Sequence, residues 1–217
     1  MKHQLAVAGL LVTLGAGIGA GSLTHRGTVL PYYSDKTLTP RWATDAGELA
    51  SAHIVGAFAL VDQEGRRSTS DIVAGRVYVA SFFYSTCKTL CPDIRDQLAR
   101  VQDAFMGDTN VMILSHSVTP DIDDAGRLAH YARINGIDYR HWRLLTGSRA
   151  EIERLARERY FVELSDTTGN TPGTLKHTET LVLVDRHGHI RGAYDGSLAF
   201  EVSQLIADIR TLAQEPK

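Results

Sequence analysis

The chain has two cysteines, Cys87 and Cys91, separated by three residues, so any sulfur chemistry belongs to this one pair. An apolar, aromatic-rich run from Val77 to Tyr84 precedes them and reads as a buried strand. Beyond them Ile94, Leu98, Val101 and Phe105 recur at spacings of four, three and four, the period of a helix. The thiols therefore stand where a strand hands over to a helix. If the first turn is already helical, positions i and i+4 share a face, and both sulfurs point the same way. They are then close enough to form a disulfide or to share a soft metal ion. Helix N-terminal amides also favour thiolate. The plainer alternative is a structural disulfide or two small core residues. A single CxxxC pair is no disulfide scaffold, however, and a strand tip followed by Cys91-Pro92 is a poor place for filler.

Two thiolates leave a soft metal short of ligands, so a third donor is sought among nine histidines. His3 and His25 lie outside the folded part, and His187 and His189 flank a turn and read as solvated. His177 closes a loop rich in Thr and Gly, immediately before a strand from Glu179. His116 ends the strand Asn110 to Ser117, and strand C-termini in open α/β sheets face the site. His177 is the first candidate and His116 the second.

The elements that must position these groups follow in order. Met1 to Gln4 carries Lys2, and Leu5 to Leu23 is uncharged and mostly apolar, a leader or a membrane anchor. Residues 1–26 are assigned to that segment, 27–49 to a linker or arm, and 50–217 to one domain. Strands are expected from Ile54 to Val61 and Ser68 to Ile72. After the cysteines come a helix from Ile94 to Met106, a strand to Ser117, a helix opened by Asp123 and ended at Asn135-Gly136, and a strand from Trp142 to Thr146. Ser148 and Glu151 form a capping box. A polar loop spans Val162 to Gly173. Glu179 to Asp185 and Ile190 to Tyr194 make a hairpin, and Leu198 to Leu212 a closing helix. Strands alternating with helices argue for an α/β fold with a central mixed sheet flanked by helices. A cysteine pair at a strand-to-helix junction, with a terminal hairpin and helix, is the plan of a thioredoxin-like fold. In that plan the loop entering the hairpin lies beside the cysteine turn, which singles out His177. In 217 residues, 43% hydrophobic residues and a net charge of -2 fit a globular domain and offer no footprint for nucleic acid.

Phe82-Phe-Tyr-Ser-Thr-Cys87-Lys-Thr-Leu-Cys91-Pro92 resembles the CxxxCP segment of the Sco/SenC family, copper-binding assembly factors of cytochrome c oxidase. Ser117 to Ala132 resembles that family's strand-to-helix stretch, Trp142-Arg-Leu-Leu-Thr-Gly147 its following strand, and Lys176-His177-Thr178 its histidine. The resemblance runs from about Ile54 to Leu212. It implies a thioredoxin-like domain on one N-terminal helix, facing the periplasm, with copper as Cu(I) or Cu(II) held by Cys87, Cys91 and His177. It also implies a donor chaperone and an acceptor, oxidase subunit II or another copper protein, to which the domain delivers copper or whose cysteines it reduces. Lys88 stands where the family commonly has proline, and Lys176 where it often has an acidic residue.

The leading reading is a metallochaperone working by ligand exchange rather than a turnover enzyme. The alternative is an exported thiol–disulfide oxidoreductase, in which Cys87 attacks and Cys91 resolves. A peroxidase is a third reading, for which one cysteine would suffice. His177 discriminates, because metal ligation uses it and thiol exchange does not.

Overall fold

The computed structural model describes residues 29–43, 46–164 and 178–215. Two strands buried on both faces form its middle. β3 (Val77–Phe83) and β4 (Val111–Ser117) run parallel, with Val77 opposite Val111 and Phe83 opposite Ser117. Burial on both faces is why β3 reads as an unbroken apolar run and not as an alternation. β5 (Trp142–Thr146) continues the sheet in parallel beyond β4. On the other side β6 (Thr180–Val184) lies antiparallel to β3, and β7 (Ile190–Asp195) is the edge. β1 (Ala59–Asp62) and β2 (Arg67–Thr69) add an antiparallel hairpin beyond β5, which gives the order β2-β1-β5-β4-β3-β6-β7.

Parallel neighbours need crossovers. These are α2 (Cys91–Ala104), between β3 and β4, and α3 (Ala125–Ile134), between β4 and β5. Both pack with α5 (Ala199–Gln214) on one face, where Ile94, Leu98, Leu128, Val202 and Leu205 meet Val79 and Ile113. The other face buries Tyr78, Phe82, Met112 and Leu114 under α4 (Arg149–Arg154) and the π-helical turn Leu155–Arg159 that continues it. A short α1 (Ala46–Ala50) precedes β1. This mixed seven-stranded sheet between two layers is the thioredoxin-like plan expected from the order of elements.

Several local expectations need correction. The strand expected from Ile54 begins at Ala59, and Ile54 itself makes only a bridge to His189. The strand expected to reach Ile72 ends at Thr69, where a 3-10 turn over Ser70–Val73 takes over. Asp124, not Asp123, caps α3, accepting from the Arg127 N–H at 2.7 Å. The Ser148 cap is present, its Oγ accepting from the Glu151 N–H at 3.2 Å. Among the described residues no helix is long and apolar enough to cross a membrane, and the Leu5 to Leu23 run lies outside them.

At the end of the sheet away from the cysteines, the segment from Leu30 to Arg41, which folds back so that Tyr32 bridges Arg41, is fastened to β7. The Tyr33 N–H donates to the Ile190 carbonyl at 3.0 Å. Arg191, 2% exposed, donates to the Leu30 and Pro31 carbonyls and to the carboxylates of Asp185 and Glu215.

Candidate metal and thiol site

The helix that follows the thiols starts at Cys91, so the expectation that Cys87 already belongs to a helical turn is not met. Pro92 sets that start. Its missing N–H would have no partner in a first turn, and its fixed φ suits a helix. Cys87 lies in the preceding turn, where its N–H donates to the Tyr84 carbonyl at 3.3 Å. The turn nevertheless brings the sulfurs close enough to perturb each other's ionisation, and both are free thiols.

Their environments differ. Cys91 is buried, at 5% exposure, while Cys87 is half-buried. Burial pushes the Cys91 thiol far above the ordinary range, and the neighbouring Cys87 sulfur adds to the rise. Burial also acts to raise Cys87, but hydrogen bonds to its sulfur outweigh it. They come from the Cys91 thiol, the backbone N–H groups of Thr89 and Cys91, and the Tyr84 hydroxyl, and they lower the Cys87 pKa. Tyr84 is correspondingly pushed up to about 12, by burial first and then by its bond to Cys87. The pair thus has one nucleophilic sulfur facing outward and one protonated reserve behind it. Behind Cys91 is a small apolar cavity whose polar groups satisfy one another. Ser81 Oγ is 2.7 Å from Ser115 Oγ, which accepts from Trp142 Nε1–H at 2.8 Å.

Asp123, read from the sequence as a helix opener, points instead beneath the cysteine turn with no exposed surface. Its carboxylate accepts from the Ser85 N–H at 3.0 Å and from the Ser85 hydroxyl. It also accepts from Ser117 Oγ at 2.6 Å and Thr119 Oγ1 at 3.0 Å. Two adjacent aspartates gave the signal that one of them had a task other than capping.

The histidines separate clearly. His116 does not join the thiols. Its ring lies on the sheet face opposite α2, stacked on Phe82 with centroids 4.9 Å apart and edge-on to Phe58. Nδ1 is 3.2 Å from the Ser81 carbonyl and Nε2 is buried without a partner. Burial lowers its pKa from 6.5 to about 4, so it is a neutral core residue. His189 is not solvated as expected. It is 8% exposed, 3.4 Å from Asp185 and edge-on to Tyr32. His187 is exposed.

His177 and Lys176 lie outside the described residues. The chain is described again from Thr178. There the Glu179 carbonyl accepts from the Gly196 N–H at 2.7 Å, a contact so close that a Cβ on Gly196 would stand 3.0 Å from that oxygen. Ala80 faces Val182 across the β3–β6 pair, so β6 begins toward the cysteine-bearing end of β3. Among the described residues no three of His, Cys, Asp and Glu converge on a metal site.

Comparison with known proteins gives a consistent result. Residues 46–214 match the SCO1/SenC family model. A SCO1 protein homolog of Bacillus subtilis is 25% identical over 156 residues, covering 71% of this chain and 80% of that one. A SCO1/SenC family lipoprotein from Bacillus anthracis superposes with a TM-score of 0.66 at 25% identity, over 73% of this chain and 94% of the other. Bradyrhizobium japonicum ScoI, solved with copper bound, superposes with a TM-score of 0.60 at 26% identity, over 74% and 99%.

Proposed function

The chain belongs to the SCO1/SenC family, and from that premise we propose that it is an exported copper-binding factor serving cytochrome c oxidase assembly, with Cys87 and Cys91 as thiolate ligands. The observation that carries this reading is the pairing of two free, mutually interacting thiols, one half-buried with a lowered pKa and one buried. Paired thiolates suit a soft ion such as Cu(I), and the copper held by the Bradyrhizobium relative supports that ion here. His177 is proposed as the third ligand. The fixed entry into β6 at the cysteine-bearing end supports it, as does the preference of Cu(II) for nitrogen donors.

Ligand exchange is the proposed mechanism. Cys87, the more exposed sulfur, leads transfer, with copper shared between it and an acceptor thiolate before Cys91 lets go. The acceptor is subunit II of the oxidase or another copper protein, and a separate chaperone supplies the ion. Residues 1–26 are proposed as the leader or anchor that places the domain in the periplasm, with 27–49 as its tether and 50–217 as the copper domain. N-terminal sequencing of the protein recovered from membranes decides between a cleaved and a retained segment.

The test is copper titration of the reduced protein. The chain is expected to take up one copper, and the variant with Cys87→Ser and Cys91→Ser none. His177→Ala is expected to keep Cu(I), bind Cu(II) much more weakly and lose the thiolate-to-copper absorption in the visible. Equal copper uptake by the double-serine variant overturns the site. A protein that binds no copper yet reduces disulfides moves the function to thiol–disulfide exchange. In that reaction Cys87 thiolate attacks a partner disulfide and expels one partner thiolate. Cys91 then displaces the second, leaving Cys87 and Cys91 oxidised to a disulfide and the partner reduced by two electrons.

A further inference from the structure

Asp123 has no hydrogen bond to either thiol, yet both oxygens of its carboxylate accept from donors that bear on where Cys87 sits. Oδ1 accepts from the Ser85 hydroxyl, two residues before Cys87. Oδ2 accepts from the Ser85 N–H and from the hydroxyls of Ser117 and Thr119, at the end of β4 and just beyond it. The Val118 N–H donates to the Phe83 carbonyl at 2.8 Å, so the two chain segments are already joined at the last pair of β3 and β4. Asp123 extends that junction past the sheet into the turn. The Asp123 N–H in turn donates to the Thr119 carbonyl at 2.9 Å, which folds the residue back under the turn. No cation pairs with the carboxylate among the described residues. A buried carboxylate held only by neutral donors is costly to place unless the groups it holds need fixing.

We propose that Asp123 is a positioning residue for the thiol pair: by pinning Ser85 to the end of β4 it holds the Cys87 turn so that the two sulfurs meet. Asp123 is the buried group that ties the turn to the end of β4. The turn precedes the helix; within it the Cys87 N–H donates to the Tyr84 carbonyl at 3.3 Å, further bonds converge on the Cys87 sulfur itself, and α2 is capped by no side chain. Without the clamp the turn is free to move while α2 keeps Cys91 in place. The sulfurs then spend less time in contact, and both disulfide closure and shared metal binding weaken. The inference builds on Cys87 and Cys91 acting as a pair, but not on copper.

The test is the equilibrium of the full-length protein with reduced and oxidised glutathione, which needs only the two thiols. Two protein thiols become the Cys87–Cys91 disulfide as one glutathione disulfide becomes two glutathione thiols. Asp123→Ala is expected to lower that equilibrium constant about tenfold, a shift of about 30 mV. It is also expected to reduce the preference of an alkylating agent for Cys87 over Cys91. Asp123→Asn, which keeps the shape and can still accept from the Ser85 N–H, is expected to fall between. Ser85→Ala, which leaves the core untouched, is expected to reproduce part of the loss and stands in if Asp123→Ala does not fold. Ser148→Ala, which removes the α4 cap, lowers stability without moving either readout. The proposal is overturned if the folded Asp123 and Ser85 variants keep the parent equilibrium constant and alkylation preference within twofold, whatever happens to their melting temperature. A shifted equilibrium in a protein that binds no copper leaves this inference standing and removes the copper function instead.

Discussion

Two buried ionic groups hold this fold at opposite ends of one sheet, and they are built in opposite ways. Arg191 uses all five N–H donors of its guanidinium. They reach Asp185 at 3.0 Å, both Glu215 oxygens at 3.0 Å, and the Leu30 and Pro31 carbonyls at 2.9 and 3.2 Å, and the group also lies 4.2 Å above the Tyr32 ring. Asp123 also gathers several partners, but its donors are three hydroxyls and one amide, and all but Ser85 lie within six residues of it. The guanidinium ties together the start of the described chain, the terminal hairpin and the end of α5 against opposite charges. The carboxylate ties one turn to one strand end with no ion pair among the described residues. The first is arranged to keep the domain whole. The second is arranged to keep one local geometry, and its loss is expected to be felt at the thiols before it is felt in the fold.

The largest expected effect breaks the comparison at its charged end. Arg191→Met leaves Asp185 and Glu215 without their cation, and uncompensated buried charge costs about 3–5 kcal/mol. Denaturant unfolding should show that loss, while the folded fraction keeps the parent preference for alkylation at Cys87. A variant that loses thiol preference and keeps its stability would reverse the roles assigned to the two ends.

A pH titration sharpens the comparison with a third buried group that has no charged partner. His116 has its pKa lowered from 6.5 to about 4 by burial. Below pH 6.5 the unfolded chain takes up a proton that the folded chain refuses, so stability is complete above 6.5 and declines as pH falls towards about 4. The shift corresponds to a loss on the order of 3 kcal/mol across that window. His116→Phe should flatten that part of the stability profile. A profile identical to the parent's would mean that His116 is not neutral in the fold.

Asp123→Ala comes next. It leaves three hydroxyls and an amide short of an acceptor at an expected cost of about 1–3 kcal/mol, with the thiol equilibrium moving in parallel. Ser148→Ala is the smallest, about 1 kcal/mol for a lost helix cap, with no change at the thiols. If the two variants move the thiol equilibrium equally, the distinction between a clamp and ordinary stabilisation disappears.

Much of this was legible from residue types. Trp142 to Thr146 is a strand as read, because its mostly apolar run suits a sheet with two covered faces. The cysteine strand was legible from its unbroken apolar run and the closing helix from its periodicity. The turn between Tyr84 and Leu90 was not. A spacing of four implies a shared face only inside a helix, and Pro92 delays the helix to Cys91, so the sulfurs meet by the folding of a turn. Asp123 and Asp124 are indistinguishable as letters. Which one caps depends on the hydroxyls of Ser117 and Thr119 and on the Ser85 turn, which only the fold brings together. His116 and His189 were misread through the same gap, since neither inward direction nor burial is written in a single residue.

The fastening of Leu30 to Tyr33 along the start of β7 also decides where mechanical load enters the molecule. Tension on the N-terminal segment is delivered to the hairpin and to the end of α5 through Arg191, at the foot of the sheet. β3 then separates that point from the thiols by six residue steps, about 20 Å at the ordinary rise of a strand. A pull that peels the arm from β7 therefore opens the foot first and leaves the cysteine turn, on its own separate anchor at Asp123, unstrained.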